Sequence, residues 1–326
     1  MRAAVVTAFG TPPTYQDFPT PTPTPLAPDE VLVDVLAAGL HPRVRSQANG
    51  SHYTSSDQLP LVPGIDGVGR APDGTLRYFI LPDTTMGAMA EQTVVDLRRS
   101  VELPEHSDPV RIAAAMNPAM SSWLALRRRI TFHPGQSVLV LAATGNAGQM
   151  AVQIAKHLGA SQVIGAGRQP ERLASLTELG ADVTVSLDGD PADVARRLGQ
   201  AARDVDIVID YLWGQPTADA IRAIVMNRTD EGRPLTWIQV GSVAGPTAAI
   251  PSAALRAARL QIVGSGQGSV PTRDIVTELP ELAAEIGNGT FRIDARTVPL
   301  SDVEAAWKDR ESDQRIVMTA DAPAHQ

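Results

Sequence analysis

The sequence predicts an α/β protein: a doubly wound parallel sheet, with mainly-β segments before and after it. Three observations carry that expectation. Ser137–Gly167 (SVLVLAATGNAGQMAVQIAKHLGASQVIGAG) reads as strand, small-residue turn, helix and strand. Between residues 138 and 264, short apolar runs alternate with stretches of helical spacing, the pattern of βαβ units. The first hundred residues and the last thirty or so instead carry short strands punctuated by Gly and Pro.

Taken in order, Ala3–Thr7 opens with a strand, and a proline-rich connector follows over Pro19–Pro28. Glu30–Ala37 (EVLVDVLA) alternates apolar and polar residues, as a half-buried strand does. Turn-rich Leu61–Arg70, then Arg77–Leu81 and Met89–Val95, complete a β region resembling a small barrel. Helical spacing appears at Ile112–Met116 and again at Ser121–Arg128, interrupted at Asn117-Pro118, where Asn117 is placed to cap the second helix.

The central unit comes next. Val138–Ala142 is a strand buried on both faces. Ala142, Gly145 and Gly148 mark the turn, and Met150, Ala151, Ile154, Ala155 and Leu158 line one helical face, which Gly159 closes. Such a unit aims free backbone N–H groups and a helix dipole at a point where a pyrophosphate can sit. The plainer reading gives the glycines a packing role only. Further strands are expected at Gln162–Ile164, Asp182–Leu187, Val205–Asp210, Leu235–Val240 and Leu260–Gly264. The helix after Gln169-Pro170 is closed by Gly180, and the next is capped by Asp190 with Pro191 at its first position. From Phe291 the tail reverts to strand, helix and strand, which returns it most simply to the first domain.

Composition narrows the function. A net charge of −8 and a pI near 5.3 advertise no basic face for nucleic acid, and Arg127–Arg129 reads as a solvated helix face. No apolar run reaches the roughly 20 residues of a membrane span, and the first ten residues lack a signal-peptide core, so a cytoplasmic protein is expected. The absence of cysteine excludes disulfides, thiolate catalysis and cysteine-ligated metal. The six histidines are scattered, so no metal site is expected.

EVLVDVLAAGLHP, LVPGIDGVGR, AATGNAG with AVQIAKHLGA, ELGAD, DIVID and IPSAALRAARLQIVGSG together resemble the medium-chain dehydrogenase/reductase superfamily. The similarity runs nearly end to end and falls closest to the zinc-independent quinone oxidoreductase-like branch. It implies a GroES-like catalytic domain (1–117 and 269–326) interrupted by a Rossmann domain (118–268), with the active site in the cleft between them. It further implies homodimers that join the sixth strands of two sheets; Leu260–Gly264 would otherwise be an exposed apolar edge.

NAD-binding versions of this unit place an acid about 20 residues past the glycines. Here Gly167-Arg168 stands instead, and a guanidinium suits a phosphate. NADP(H) is therefore expected, with Arg172 supporting Arg168. The expected cofactor contacts are Ala142, Thr144, Gly145, Asn146, Ala147, Gly148, Gly167, Arg168 and Arg172. Gly241, Ser242, Gly264, Ser265 and Gly266 join them at the carboxyl ends of strands. Resemblance adds Asn117 and Ser121, the latter where relatives carry a Thr near the nicotinamide. It also places His41 where relatives commonly carry an Asn, and Tyr53 where a Tyr lies near the nicotinamide. Both are the expected donors to a developing oxyanion, although Tyr53 reads equally as a loop residue covering apolar surface. The implied activity is NADPH-dependent hydride transfer to a quinone or an α,β-unsaturated carbonyl. The competing reading is a catalytically silent NADP-binding sensor or structural protein.

Overall fold

The computed structural model describes residues 1–21, 27–309 and 314–320, so residues 22–26 of the proline-rich connector lie outside the described residues. The chain divides into two compact units: Met1–Asn117 with Thr272–Gln326, and Pro118–Pro271.

The first unit begins with β1 (Arg2–Val5) and β2 (Thr14–Asp17), an antiparallel pair. β3 (Glu30–Leu40) is the spine that follows. α1 (Pro42–Ala48) comes next, and then β4 (Asp66–Arg70), β5 (Leu76–Ile80), β6 (Gln92–Asp96) and β7 (Ser100–Glu102). β3 is long because it serves several neighbours, pairing with β6 through Glu30–Asp34 and with β4 from Asp34 onward. Its alternation gives way at the far end to continuous burial over Ala37–Leu40. Gly39 has a packing reason, since a Cβ there would stand 2.8 Å from the Ala113 carbonyl oxygen.

α2 (Pro109–Leu124) is continuous through Pro118, so Asn117 lies inside a helix and does not cap one. An internal proline typically costs about 3 kcal/mol. The flanking Ile112–Met116, Ala119 and Trp123 are all buried, and each large apolar side chain among them contributes about 1.5–3 kcal/mol. Burial overrides the breaker. The helix relaxes into a π-helical turn over Ala125–Arg129, which carries the three arginines.

The second unit holds β8 (Ser137–Leu141), α3 (Asn146–His157), β9 (Gln162–Gly167), α4 (Pro170–Ser175), β10 (Val183–Ser186) and α5 (Pro191–Ala201). It continues with β11 (Ile207–Asp210), α6 (Gly214–Val225), β12 (Leu235–Gln239) and β13 (Leu260–Gly264). The strands form a parallel sheet in the order β10-β9-β8-β11-β12-β13. This is a Rossmann sheet, in which the order reverses between β8 and β11. Its core contains Leu139, Leu141, Ile164, Val208 and Trp237, all at 1% exposure or less. Gly180 ends its helix at φ 105°, and the Asp190 carboxylate accepts the Ala192 N–H at 2.9 Å.

The chain then re-enters the first unit with α7 (Thr272–Gly287), β14 (Ala295–Pro299), α8 (Val303–Lys308) and β15 (Arg315–Thr319). β15 pairs with β14 and with the second half of β3, which completes a seven-stranded sheet. Among the described residues, no helix is long and apolar enough to cross a membrane.

Candidate active site

In the second unit the chemistry gathers at the carboxyl ends of the parallel strands. β8 ends at Leu141, and Ala142 follows at φ 61°, a left-handed conformation that costs an L-residue about 1–2 kcal/mol. The turn is tied down by Ala143 N–H to Ala166 O at 2.8 Å and by Gly145 N–H to Ala142 O at 3.2 Å. Gly145 precedes α3, and no side chain caps the helix. The N–H groups of Asn146, Ala147 and Gly148 take no acceptor among the described residues. Three open donors at the positive end of a 12-residue helix make an anion cradle.

The glycines divide by purpose. A Cβ on Gly148 would drive into the Ala142 carbonyl oxygen, and one on Gly167 would stand 2.6 Å from Thr144 Cγ2. The chain's own packing demands both. Gly145 differs, because its φ of −81° suits any residue and its nearest neighbour would be 3.7 Å away. Neither its backbone conformation nor its neighbours within the chain require a glycine there.

Arg168 follows β9 directly. It is exposed and takes no hydrogen-bond or ion-pair partner among the described residues, and no carboxylate stands beside it at the strand end. Arg172 reaches the Thr144 carbonyl oxygen at 3.5 Å, and partial burial draws its guanidinium below its ordinary pKa. Gly241 and Ser242 follow β12, and Ser265 N–H returns to Gln239 O at 2.8 Å just past β13. Gly264 ends β13, and its carbonyl accepts from Arg129 Nε at 2.6 Å. Gly266 donates its N–H to Ser269 Oγ.

Ser121 is committed within the chain. Its hydroxyl donates to Pro118 O at 2.7 Å and lies 2.8 Å from the Tyr211 hydroxyl. Burial pushes Tyr211 up to about 12, with Ser121 and Ser122 pulling the other way. Asn117 sits mid-helix one turn before Ser121, on the same face of α2.

In the first unit His41 stands between β3 and α1 with its ring 2% exposed. Its Nε2 lies 3.0 Å from Asp66 Oδ1, and the Tyr78 hydroxyl donates to Asp66 Oδ2 at 2.8 Å. Buried Arg315 donates to Leu40 O at 3.2 Å; burial lowers its pKa to about 10, against the pull of Asp66. Burial above all lowers the His41 pKa; Asp66 opposes this, while Arg315 and Arg43 reinforce it. The ring is therefore neutral near pH 7, and a carboxylate partner places its one proton on Nε2. Nδ1 is then a buried lone pair, and it takes no partner. The expectation that His41 donates to a substrate oxygen is corrected: its only donor is spent on Asp66.

Tyr53 is 73% exposed, on a loop organised by its neighbours. Its ring centroid is 4.2 Å from that of His52. His52 Nδ1 lies 2.8 Å from Thr54 Oγ1, which also accepts from Arg43 at 2.8 Å and donates to Asp83; Arg43 and Asp83 pair directly. Burial first, then Arg43, lowers His52 to about 4 against the influence of Asp83. Asp66, Tyr78, Arg315, Thr54 and Asp83 join these two networks, all but Asp66 without a motif of their own in the sequence. For Asp66 a signal existed, an acid inside the apolar, glycine-rich run LVPGIDGVGR.

A phosphate-cradling Rossmann unit with a mainly-β companion defines a dinucleotide-binding α/β protein. The family model described as zinc-binding dehydrogenase matches residues 147–285. A probable NADPH-dependent quinone reductase of Emericella nidulans is 33% identical in an alignment that covers 96% of this chain and 98% of that one. The quinone oxidoreductase of Thermus thermophilus, solved also in complex with NADPH, superposes at a TM-score of 0.76 with 25% identity, covering 98% of this chain and 100% of that one. The quinone oxidoreductase of Pseudomonas syringae pv. Tomato has the same fold, with a TM-score of 0.82 at 23% identity over 98% and 99% of the two chains. The chain belongs to the medium-chain dehydrogenase/reductase superfamily, in its quinone oxidoreductase-like branch.

Zinc, which the matched family's description carries, does not fit the donors present. There is no cysteine, and among the described residues no three His, Asp or Glu side chains converge. One His–carboxylate pair, His41 with Asp66, is bonded to itself.

Proposed function

We propose that this chain is an NADPH-dependent reductase that reduces a quinone or an α,β-unsaturated carbonyl without a metal. The observation that carries the reading is Arg168, exposed and unpartnered where an NAD-specific site would hold an acid. The printed activity of the 33% identical relative supports it.

NADPH, when bound, supplies the hydride. Asn146, Ala147 and Gly148 hold the pyrophosphate through their N–H groups, and Arg168 with Arg172 takes the 2′-phosphate. Gly241, Ser242, Gly264, Ser265 and Gly266 line the other half of the nucleotide. Ser121 acts indirectly, by fixing Tyr211. As charge builds on the substrate oxygen, the Tyr53 hydroxyl donates to it, and solvent delivers the second proton. His41, with Asp66 and Tyr78, keeps the start of α1 in shape. The free edge of β13, where Ile262 and Val263 are half-buried, pairs with a second copy to give a homodimer.

The test is NADPH oxidation over a panel of quinones and enones, run with the parent and Tyr53→Phe. Turnover by the parent is expected, falling about ten- to a thousandfold in the variant with NADPH affinity retained. Tight nucleotide binding with no turnover on any acceptor would leave a nucleotide-binding protein and no reductase. A single-chain mass in light scattering would remove the dimer.

A further inference from the structure

Among the described residues, two non-glycine residues hold a left-handed φ: Ala142 at 61° and Trp213 at 54°. They stand just past the carboxyl ends of β8 and β11, the two adjacent strands between which the sheet order reverses. Open α/β sheets bind ligands at that crevice, and strained backbone collects at such sites. Ala142 belongs to the phosphate turn. Trp213 has no role in it.

The strain at Trp213 is maintained by a buried carboxylate. Asp210 Oδ1 accepts the N–H groups of Leu212 at 2.8 Å and Trp213 at 3.1 Å. Its Oδ2 accepts from Thr217 Oγ1 at 2.6 Å and Trp237 Nε1 at 2.9 Å. The loop after β12 adds Val243 N–H to Tyr211 O at 3.3 Å and Ala244 N–H to Leu212 O at 2.8 Å. Behind Trp213, a Cβ on Gly214 would stand 2.8 Å from the Ala244 carbonyl oxygen. The turn is fixed from both sides before any ligand arrives. The other three tryptophans, Trp123, Trp237 and Trp307, are buried, whereas the Trp213 ring is half-exposed.

A doubly wound sheet binds a dinucleotide in two halves, one on each side of the switch point. The phosphate cradle and Arg168 belong to the half built on β8, β9 and β10. Trp213 lies at the edge of the other half. We propose that Trp213 is the aromatic platform for the nicotinamide ring, held face-on by the Asp210-braced turn; this rests on the NADP(H) reading above. An electron-rich indole face favours the cationic oxidised ring over the neutral reduced one, so the contact strengthens NADP⁺ binding more than NADPH binding.

The experiment titrates intrinsic fluorescence with NADP⁺, which does not absorb tryptophan emission and so quenches by contact. It is run on the parent, Trp213→Phe and Trp213→Ala, alongside 2′,5′-ADP, a fragment lacking the nicotinamide half. NADP⁺ should quench the parent, and most of that quenching should vanish in Trp213→Phe. NADP⁺ affinity should fall roughly three- to thirtyfold in Trp213→Ala, with NADPH affinity falling less. The 2′,5′-ADP affinity should stay within about twofold in both variants, which also checks that they fold. Unchanged NADP⁺ affinity and quenching in the variants, with 2′,5′-ADP bound as in the parent, would overturn this proposal alone. Failure of both ligands to bind the parent would overturn the NADP(H) reading and this proposal with it.

Discussion

Among the described residues, Asp66 and Asp210 are the carboxylates with 1% exposure or less, and they are satisfied in opposite ways. Asp210, in the second unit, accepts from two backbone N–H groups, an indole N–H and a threonine hydroxyl. Asp66, in the first, accepts from a histidine and a tyrosine, with Arg315 close enough to feel its charge. Three of the four Asp210 donors can only donate. Both Asp66 partners can reverse, since an imidazole can move its proton and a phenol can turn to accept. The first arrangement fixes a backbone turn. The second leaves a small titratable network that tolerates rearrangement.

The largest expected effect exploits that asymmetry. Asp210→Asn brings an amide NH₂ against fixed N–H donors, leaving at least one buried donor pair unsatisfied. Bonds to a carboxylate contribute about 1.5–3 kcal/mol each, and several are lost together, so a loss of about 3–5 kcal/mol is expected. Urea denaturation measures it. A loss below about 1 kcal/mol would mean that the turn is held by its backbone bonds alone.

Next in size is a pair of substitutions in the crevice that Asp210 braces. Gly145→Ala meets no neighbour and no forbidden φ, so stability should hold within about 0.5 kcal/mol. NADPH affinity should nevertheless fall at least tenfold, about 1.4 kcal/mol, because the new methyl faces the cradle. Arg168→Ala should abolish a preference for NADPH over NADH of similar size. Calorimetric titration with each nucleotide checks both. Unchanged affinity in Gly145→Ala would leave that glycine unexplained, and an unchanged preference in Arg168→Ala would remove the arginine from the 2′-phosphate.

Asp66→Asn is the matched counterpart of the first substitution. His41 and Tyr78 can reorient around the amide, so a loss of only about 1 kcal/mol is expected, with NADPH affinity unchanged. A loss equal to that of Asp210→Asn would erase the contrast between the two sites.

The same contrast explains which features could be read from the sequence. Strand, turn and helix in Ser137–Gly167 were legible because small residues at fixed spacing and a one-sided apolar stripe are local signals. Leu260–Gly264 and the caps at Gly180 and Asp190 are local in the same sense. α1 was not legible, since its seven residues bury only Val44, Gln47 and Ala48, too few for a periodicity. Nor was β2, whose residues are all at least partly exposed. The continuity of α2 through Pro118 depends on packing that no window of sequence contains. His41, Asp66 and Tyr78 meet because β4 pairs with β5 on one side and, across a register shift between Val35 and Ala37, with β3 on the other, and Arg315 joins them from the far end of the chain. The LVPGIDGVGR motif marked Asp66, but its partners become visible only once the sheet is assembled.

The smallest effect expected is a pH slope, and it belongs to the first unit. His52 sits at about 4 in the folded chain, against an ordinary 6.5, mainly because it is buried. His41 is lowered in the same direction. As pH falls below 6.5 the unfolded chain takes up protons that the folded chain refuses, so unfolding binds protons and stability declines through the window from 6.5 to about 4. Asp73, Asp96, Asp182 and Asp204, whose carboxyls sit below the usual 3.8, lose their contribution mainly under that value, so they add little until the lower end of this window. The donors around Asp210 do not titrate there and add nothing. Melting temperatures from pH 7 down to 4.5 should therefore fall in the parent and fall less steeply in His52→Asn, with His41 supplying the remaining slope. Identical slopes in parent and variant would show that His52 is as easily protonated in the folded chain as in the unfolded one, and that the Arg43–Thr54–Asp83 cluster does not shield it.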